Sequence, residues 1–168
     1  GQDVLQKYGL KPNDAVLASP EQLSIYEHLV ENYQVTYVAG GAAQNTARCA
    51  QYALPEGSTA YLGCVGNDDL AQQLRAANER EGLQSVYQVV NDTPTGSCAV
   101  VITGHDRSLC TNLGAAEKFD KSHLDSQEAK AAIEAAKFFY IGGFFLTHGV
   151  ESALIVAKHA KETGKPFA

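Results

Sequence analysis

Small, polar and aromatic residues gather at a few points of this chain where a ligand could meet the main chain. In Gly40-Gly41-Ala42-Ala43-Gln44-Asn45, a turn of small residues follows the extended run Val35-Thr36-Tyr37-Val38 and opens a helix that runs to about Ala53. Such a turn lets a ligand approach closely, the new helix offers unpaired N–H groups with a small positive potential, and Asn45 adds donors and an acceptor. Tight packing of strand against helix would use the same residues. Further along, Arg107 carries a planar donor fork suited to phosphate, beside Asp106, and both read equally as solvated turn charges. Phe144 and Phe145 follow Gly142-Gly143 at the end of an apolar run, where a ring could stack on a flat heterocycle or fill the core.

The elements that must hold these residues follow from periodicity and turn chemistry. A helix covers about Gln2 to Tyr8, broken by Gly9 and Pro12, and a short strand spans Ala15 to Ala18. Ser19-Pro20-Glu21-Gln22 announces a helix to about Glu31, with a hydroxyl cap, proline in the first turn and Gln three residues after the cap. Thr59 to Val65 reads as a strand, Asp69 to Glu81 as a helix capped by Asn67 or Asp68, and Ser85 to Val90 as a strand. This strand-helix-strand order favours a parallel sheet covered by helices. The turn Gly63 to Gly66 then falls at the carboxyl edge of that sheet, the usual ligand side, while capping alone accounts for Asp68 and Asp69.

A hairpin interrupts the alternation. Ser97 to Thr103 and Ser108 to Leu113 are β-rich and flank Gly104-His105-Asp106-Arg107, a stretch of turn length. A helix from about Asp125 to Lys137, the run Phe138 to Ile141 and a helix from about Val150 to Thr163 restore the alternation. The last helix should cross to a further strand, yet only Lys165-Pro166-Phe167-Ala168 follows, and the sequence contains no Met. The expectation is an internal fragment of a larger protein.

Composition narrows the function. With 168 residues, 45% apolar and 19% charged, the chain can bury a substantial core. A net charge of −6 without a Lys/Arg cluster argues against nucleic acid. No apolar run has the roughly 18 residues of a membrane span and no signal-peptide layout opens the chain, so an intracellular protein with no membrane partner is expected. Cys49, Cys64, Cys98 and Cys110 form no C-x-x-C pair and read as reduced core residues; the five histidines fit no zinc motif. Neither a Walker loop nor a G-x-G-x-x-G fingerprint is present.

Several segments together carry a resemblance. Gly40 to Ala47, Gly63-Cys64-Val65-Gly66-Asn67-Asp68, Thr93-Pro94-Thr95-Gly96-Ser97-Cys98-Ala99, Arg107-Ser108-Leu109 and Ile141-Gly142-Gly143-Phe144-Phe145-Leu146-Thr147 resemble, in order and spacing, the adenosine kinases of the ribokinase-like (PfkB) carbohydrate kinase family. The resemblance spans essentially the whole chain. It implies an α/β fold, a three-layer core with a parallel-type sheet plus a small β-rich lid, truncated at both ends. Residues 41–93 and 114–168 would form the partial core, residues 11–40 and 94–113 the lid, and residues 1–10 a helical N-terminal segment.

The activity so implied is transfer of the ATP γ-phosphoryl group to the 5′-hydroxyl of adenosine, with Mg²⁺, yielding AMP in purine salvage. It also implies a monomer at full length, in the cytoplasm and also the nucleus. Gly40, Gly41 and Asn45 would grip the nucleoside, with Gly41 and Asn45 on ribose hydroxyls. Leu17, Leu109, Thr111 and Leu113 would come from the lid, Cys98 would line the pocket, and Phe144 or Phe145 would stack on adenine. Arg107 would stabilise the phosphates as the lid closes. The family's N-P-L-L-D-type segment would precede Gly1, and its D-T-x-G-A-G-D segment, with anion hole and base, would follow Ala168, so no metal ligand or base is expected in this chain. Ala42-Ala43 replace a frequent hydroxyl residue, and Leu70-Ala71 an aromatic and glycine. Two other functions use the same residues: a non-catalytic nucleoside-binding module, and a kinase for another nucleoside or a sugar.

Overall fold

The computed structural model describes all residues, Gly1–Ala168. Its elements in chain order are α1 (Gln2–Tyr8), β1 (Ala15–Leu17), α2 (Ile25–Asn32), α3 (Ala42–Ala53), β2 (Ala60–Gly66), α4 (Asp69–Arg80), β3 (Gln84–Val90), β4 (Ser97–Thr103), β5 (Asp106–Asn112), α5 (Gln127–Ala135) and α6 (Val150–Glu162). They form two sheets. β2 and β3 pair in parallel across α4, while β5 lies between β1, its parallel neighbour, and β4, its antiparallel one.

The β2–β3 sheet is covered on both faces, which is the three-layer α/β arrangement expected. Successive side chains of a strand face opposite ways. Cys64, with Leu62 and Val90 against it, packs with Ala115, Phe119 and Leu124 and meets α5 and α6 through Ile133 and Val156. On the other side Tyr61, Val65 and Tyr87 meet Ala71 and Leu74 of α4. Parallel pairing needs such a crossover helix, and Asp68 starts it by accepting the Ala71 N–H at 2.9 Å.

The three-stranded sheet is a lid-sized layer with one dry face. Ala99, Val101 and Cys110 pack beneath it against Val4, Leu5 and Tyr8 of α1, Leu10 and Ile25. α1 therefore shares a core with the lid sheet. Ser19 N–H donates to Gln22 Oε1 at 3.0 Å, as the capping pattern predicts, but residues 20–22 form a single 3-10 turn before α2 begins at Ile25.

Four expectations need correction. The hairpin turn is only Gly104-His105, because Thr103 pairs with Asp106; Asp106 and Arg107 are strand residues, held there by Asn13, which donates to Asp106 Oδ1 at 2.6 Å and accepts the Arg107 N–H at 3.1 Å. Val35-Thr36-Tyr37-Val38 pairs with no strand and is exposed. Phe138 to Ile141 makes only a parallel bridge, Phe139 to Phe167, supported by Ile141 N–H to Ala168 O at 2.8 Å; the tail after α6 thus does reach a neighbouring extended segment. Among the cysteines, Cys64 and Cys110 are buried but Cys49 and Cys98 are exposed, so apolar sequence neighbours did not determine their burial.

Ile25 is fully buried at the centre of the lid cluster. Ile25→Ala is expected to lower unfolding free energy by about 3 kcal/mol in urea titration, whereas Ile102→Thr, on the open face, should change it by less than about 0.5 kcal/mol.

Candidate functional site

Strand register decides which lid residues share a face. Leu17, Thr111 and Cys98 form one row across β1, β5 and β4, and Ala15, Leu109 and Val100 form the next. Arg107, opposite Ile102, extends the same face. This is the face away from the α1–α2 cluster, and it is open: Leu17 is 47% exposed and Ile102 70%. Leu17, Cys98, Leu109, Thr111 and Arg107 are thus brought together by alternation alone, with Leu113 just past the end of β5. Thr111 Oγ1 lies 3.1 Å from Cys98 Sγ, which ties the row together. The Arg107 side chain forms no ion pair, and its neighbour Asp106 is engaged by Asn13, leaving the guanidinium free for an anion.

A second group forms around the first turn of α3. Gly41 caps the helix with φ 104°, a conformation that favours glycine, and its carbonyl accepts the Asn45 N–H at 2.8 Å. No acidic side chain occupies the first turn to neutralise the helix end. The Gly142-Gly143 turn lies alongside: a Cβ at Gly142 would stand 3.3 Å from the Ala43 Cβ. This contact sets the Gly142-Gly143 turn, which Phe144 follows in the chain, against the first turn of α3.

The two phenylalanines have different tasks. Phe145 packs edge-on against Phe119 at 5.4 Å and His148 at 5.3 Å, joining the core cluster. Phe144 is 62% exposed and takes part in no ring pair within the chain. Of the pair, Phe144 offers the free face for stacking.

Beneath these groups lie residues that the sequence reading passed over. Gln44 is buried at 3% exposure and accepts from the Tyr87 hydroxyl, which in turn accepts from Asn78 Nδ2 at 3.0 Å. Burial pushes the Tyr87 phenol up to about 12, so it stays a neutral donor. Arg48 reaches Glu81 through Nε at 2.6 Å and Nη2 at 2.5 Å, and through Nη1 the Ala39 carbonyl at 3.0 Å and Asn45 Oδ1 at 3.3 Å. The spacing of three between Asn45 and Arg48 on one helix was the available signal.

The passage from core to lid is knotted at the end of β2. Asp68 accepts the Thr95 N–H at 2.7 Å, the Thr95 hydroxyl at 2.6 Å and the Ala71 N–H, and Gly66 N–H donates to Thr95 Oγ1 at 2.9 Å. Only glycine fits at 66, where a Cβ would stand 2.6 Å from the Thr93 carbonyl. Desolvation works to raise the Asp68 carboxyl, but the donors from Thr95, Ala71 and Leu70 outweigh it and hold the group below the ordinary carboxylate range. Capping was therefore only part of its role.

Two clefts lie apart from these groups. One of about 140 Å³ is lined by Phe119, Asp120, Lys121, His148, Glu151 and Ser152. The other, of about 300 Å³, lies between α5 and α6. Neither contains a residue of the lid face or of the Gly40-Gly41 turn, and no three His, Cys, Asp or Glu side chains converge to hold a metal.

Comparison with known proteins adds relatives to this geometry. The family model described as pfkB family carbohydrate kinase matches residues 3–168. The chain is 54% identical over 167 residues to an adenosine kinase of Schizophyllum commune, covering 99% of this chain and 48% of that protein. It is 47% identical to the Saccharomyces cerevisiae adenosine kinase, covering 98% of this chain and 49% of the other. Among solved structures, Anopheles gambiae adenosine kinase in complex with P1,P4-di(adenosine-5) tetraphosphate superposes with a TM-score of 0.94 at 44% identity, over 99% of this chain and 50% of that one. Schistosoma mansoni adenosine kinase in complex with adenosine superposes with a TM-score of 0.94 at 30% identity, over 99% and 49%. The chain spans about half the length of the curated relatives it matches.

Asp68→Ala removes three hydrogen bonds, the helix-capping one from Ala71 and two from Thr95, and is expected to cost about 2 kcal/mol in chemical unfolding. Because folding depresses the Asp68 value, its contribution is complete above the ordinary carboxylate range and is lost as pH falls through the depressed one. Thermal unfolding between pH 7 and pH 2 should therefore show a smaller acid loss in Asp68→Asn than in the parent chain.

Proposed function

The chain belongs to the pfkB family of carbohydrate kinases, and on that premise we propose that it is the nucleoside-holding part of an adenosine kinase. That enzyme transfers the ATP γ-phosphoryl group to the adenosine 5′-hydroxyl, giving AMP and ADP in purine salvage. The observation that carries this reading is the single open lid face, where Leu17, Thr111, Cys98 and Leu109 make an apolar cover beside an unpaired Arg107. The relatives point to the substrate: the four described above are adenosine kinases, one of them solved with adenosine and one with P1,P4-di(adenosine-5) tetraphosphate.

The residues divide the work by chemistry. Gly40 and Gly41 let the ribose approach the main chain, and Asn45 supplies a hydrogen bond to a ribose hydroxyl. Phe144 stacks on adenine while Phe145 anchors the turn that presents it. The lid face covers the nucleoside and excludes water, and Arg107 meets developing negative charge on the transferred group. ATP is the co-substrate and brings Mg²⁺. The side chains named here as contacting nucleoside or phosphate include no carboxylate, so the ion would not be held by them.

None of these side chains can accept the 5′-hydroxyl proton. On this reading the chain holds the nucleoside and does not catalyse by itself. A coupled assay should find no AMP formation by this chain and turnover by a kinase of the relatives' length that includes it; turnover by the chain alone contradicts the reading. Phe144→Ala should cost adenosine binding about 1–3 kcal/mol with little change in thermal stability, whereas Phe145→Ala should lower stability by about 2 kcal/mol or more. A kinase for a sugar would tolerate Phe144→Ala without loss of affinity.

A further inference from the structure

Arg48 stands in no ligand-facing group, yet two of its bonds go to the nucleoside grip. The guanidinium is anchored at one side by the two-point contact with Glu81, the residue just past the end of α4. At the other side Nη1 donates to the carbonyl of Ala39, the residue before Gly40-Gly41, and to Asn45 Oδ1. Helix docking alone needs only the Glu81 contact. The bonds to Ala39 and Asn45 fix two things that docking does not: where the chain enters the glycine pair, and which way the Asn45 amide faces.

The second follows from donor and acceptor types. A guanidinium has donors only, so it selects the amide rotamer that presents oxygen; the flipped amide would set N–H₂ against N–H₂. With Oδ1 so engaged, Asn45 Nδ2 keeps both hydrogens, and neither is given to a protein acceptor. On an exposed side chain without such a neighbour, the two orientations would be nearly equal and half the population would present the wrong group.

We propose that Arg48, braced by Glu81, is a positioning residue that sets the polarity of Asn45 and the entry to Gly40-Gly41, so that Asn45 offers N–H donors to a ribose hydroxyl. This rests on the reading of Asn45 as a ribose-hydroxyl partner. Arg48 is not a catalytic residue, since its fork is filled by Glu81, Ala39 and Asn45. Lysine at 48 keeps the charge and can still reach Glu81, but a single ammonium cannot bridge all three partners in one plane.

The test uses the kinase that includes this chain, with adenosine, 2′-deoxyadenosine and 3′-deoxyadenosine as substrates for the parent, Asn45→Ala, Arg48→Lys and Glu81→Gln, each checked by thermal unfolding. Asn45→Ala should abolish most of the penalty for one missing hydroxyl. Arg48→Lys should raise the adenosine KM about tenfold, leave kcat within about twofold, and shrink that same penalty toward the Asn45→Ala value. Glu81→Gln should move both readouts in the same direction by a smaller factor and supplies the result if Arg48→Lys does not fold. A merely structural arginine would lower stability and leave hydroxyl discrimination intact, which overturns the inference. If Asn45→Ala itself leaves both penalties unchanged, the ribose assignment of Asn45 fails, and the inference with it. If Asn45→Ala changes the penalty while Arg48→Lys and Glu81→Gln do not, the assignment stands and the positioning role falls.

Discussion

A single carboxylate joins the two sheets. Asp68 starts α4, closes over the end of β2 and takes both donors of Thr95, the residue from which the chain leaves for the lid hairpin. A helix cap, a strand end and an inter-sheet crossing are thus stabilised by one group, and all three donors reach it at 2.9 Å or less. Charge-assisted bonds of this kind are about twice as strong as neutral ones, and their sharing ties the three elements to one group. Gly66 supports the arrangement sterically, since any side chain there would collide with the main chain at Thr93 and Thr95. The lid face can be aimed only because its root is fixed in this way.

From that root, alternation along β1, β4 and β5 does the rest. One face is buried against α1 and α2, and the other must then collect Leu17, Cys98, Leu109, Thr111 and Arg107. An exposed apolar face is costly in water, at roughly 25 cal/mol for each Å² that could be covered. On the proposed function, covering a nucleoside recovers part of that cost. The same division of labour separates Phe144 from Phe145: adjacent residues at the start of a 3-10 turn point differently, so one is free for a ligand and the other is held by the core.

Much of this was legible in the sequence because it rests on local rules. The cap at Asp68, the crossover helix, the parallel pair and the hairpin follow from periodicity and turn chemistry, and the shared lid face follows once the strands are placed. What was not legible depends on distant partners. Asp106 and Arg107 look like turn residues until Asn13, more than 90 positions earlier in the chain, draws them into the strand. Val35 to Val38 has strand composition yet pairs with no strand. The roles of Thr95, Gln44 and Arg48 depend on Asp68, Tyr87 and Glu81, contacts that no spacing within one segment encodes. Cys98 and Cys110 sit in similar sequence surroundings, and strand parity alone puts one in the site face and the other in the core.

The most direct measurement is a crystal structure of this chain, within the kinase that includes it, with adenosine bound. The expected result has the ribose against Gly41 and Asn45, the adenine on Phe144, and the Leu17–Thr111–Cys98 row turned toward the nucleoside. Adenosine seated instead in the cleft lined by Lys121 and His148, with the lid face remaining in solvent, would contradict it.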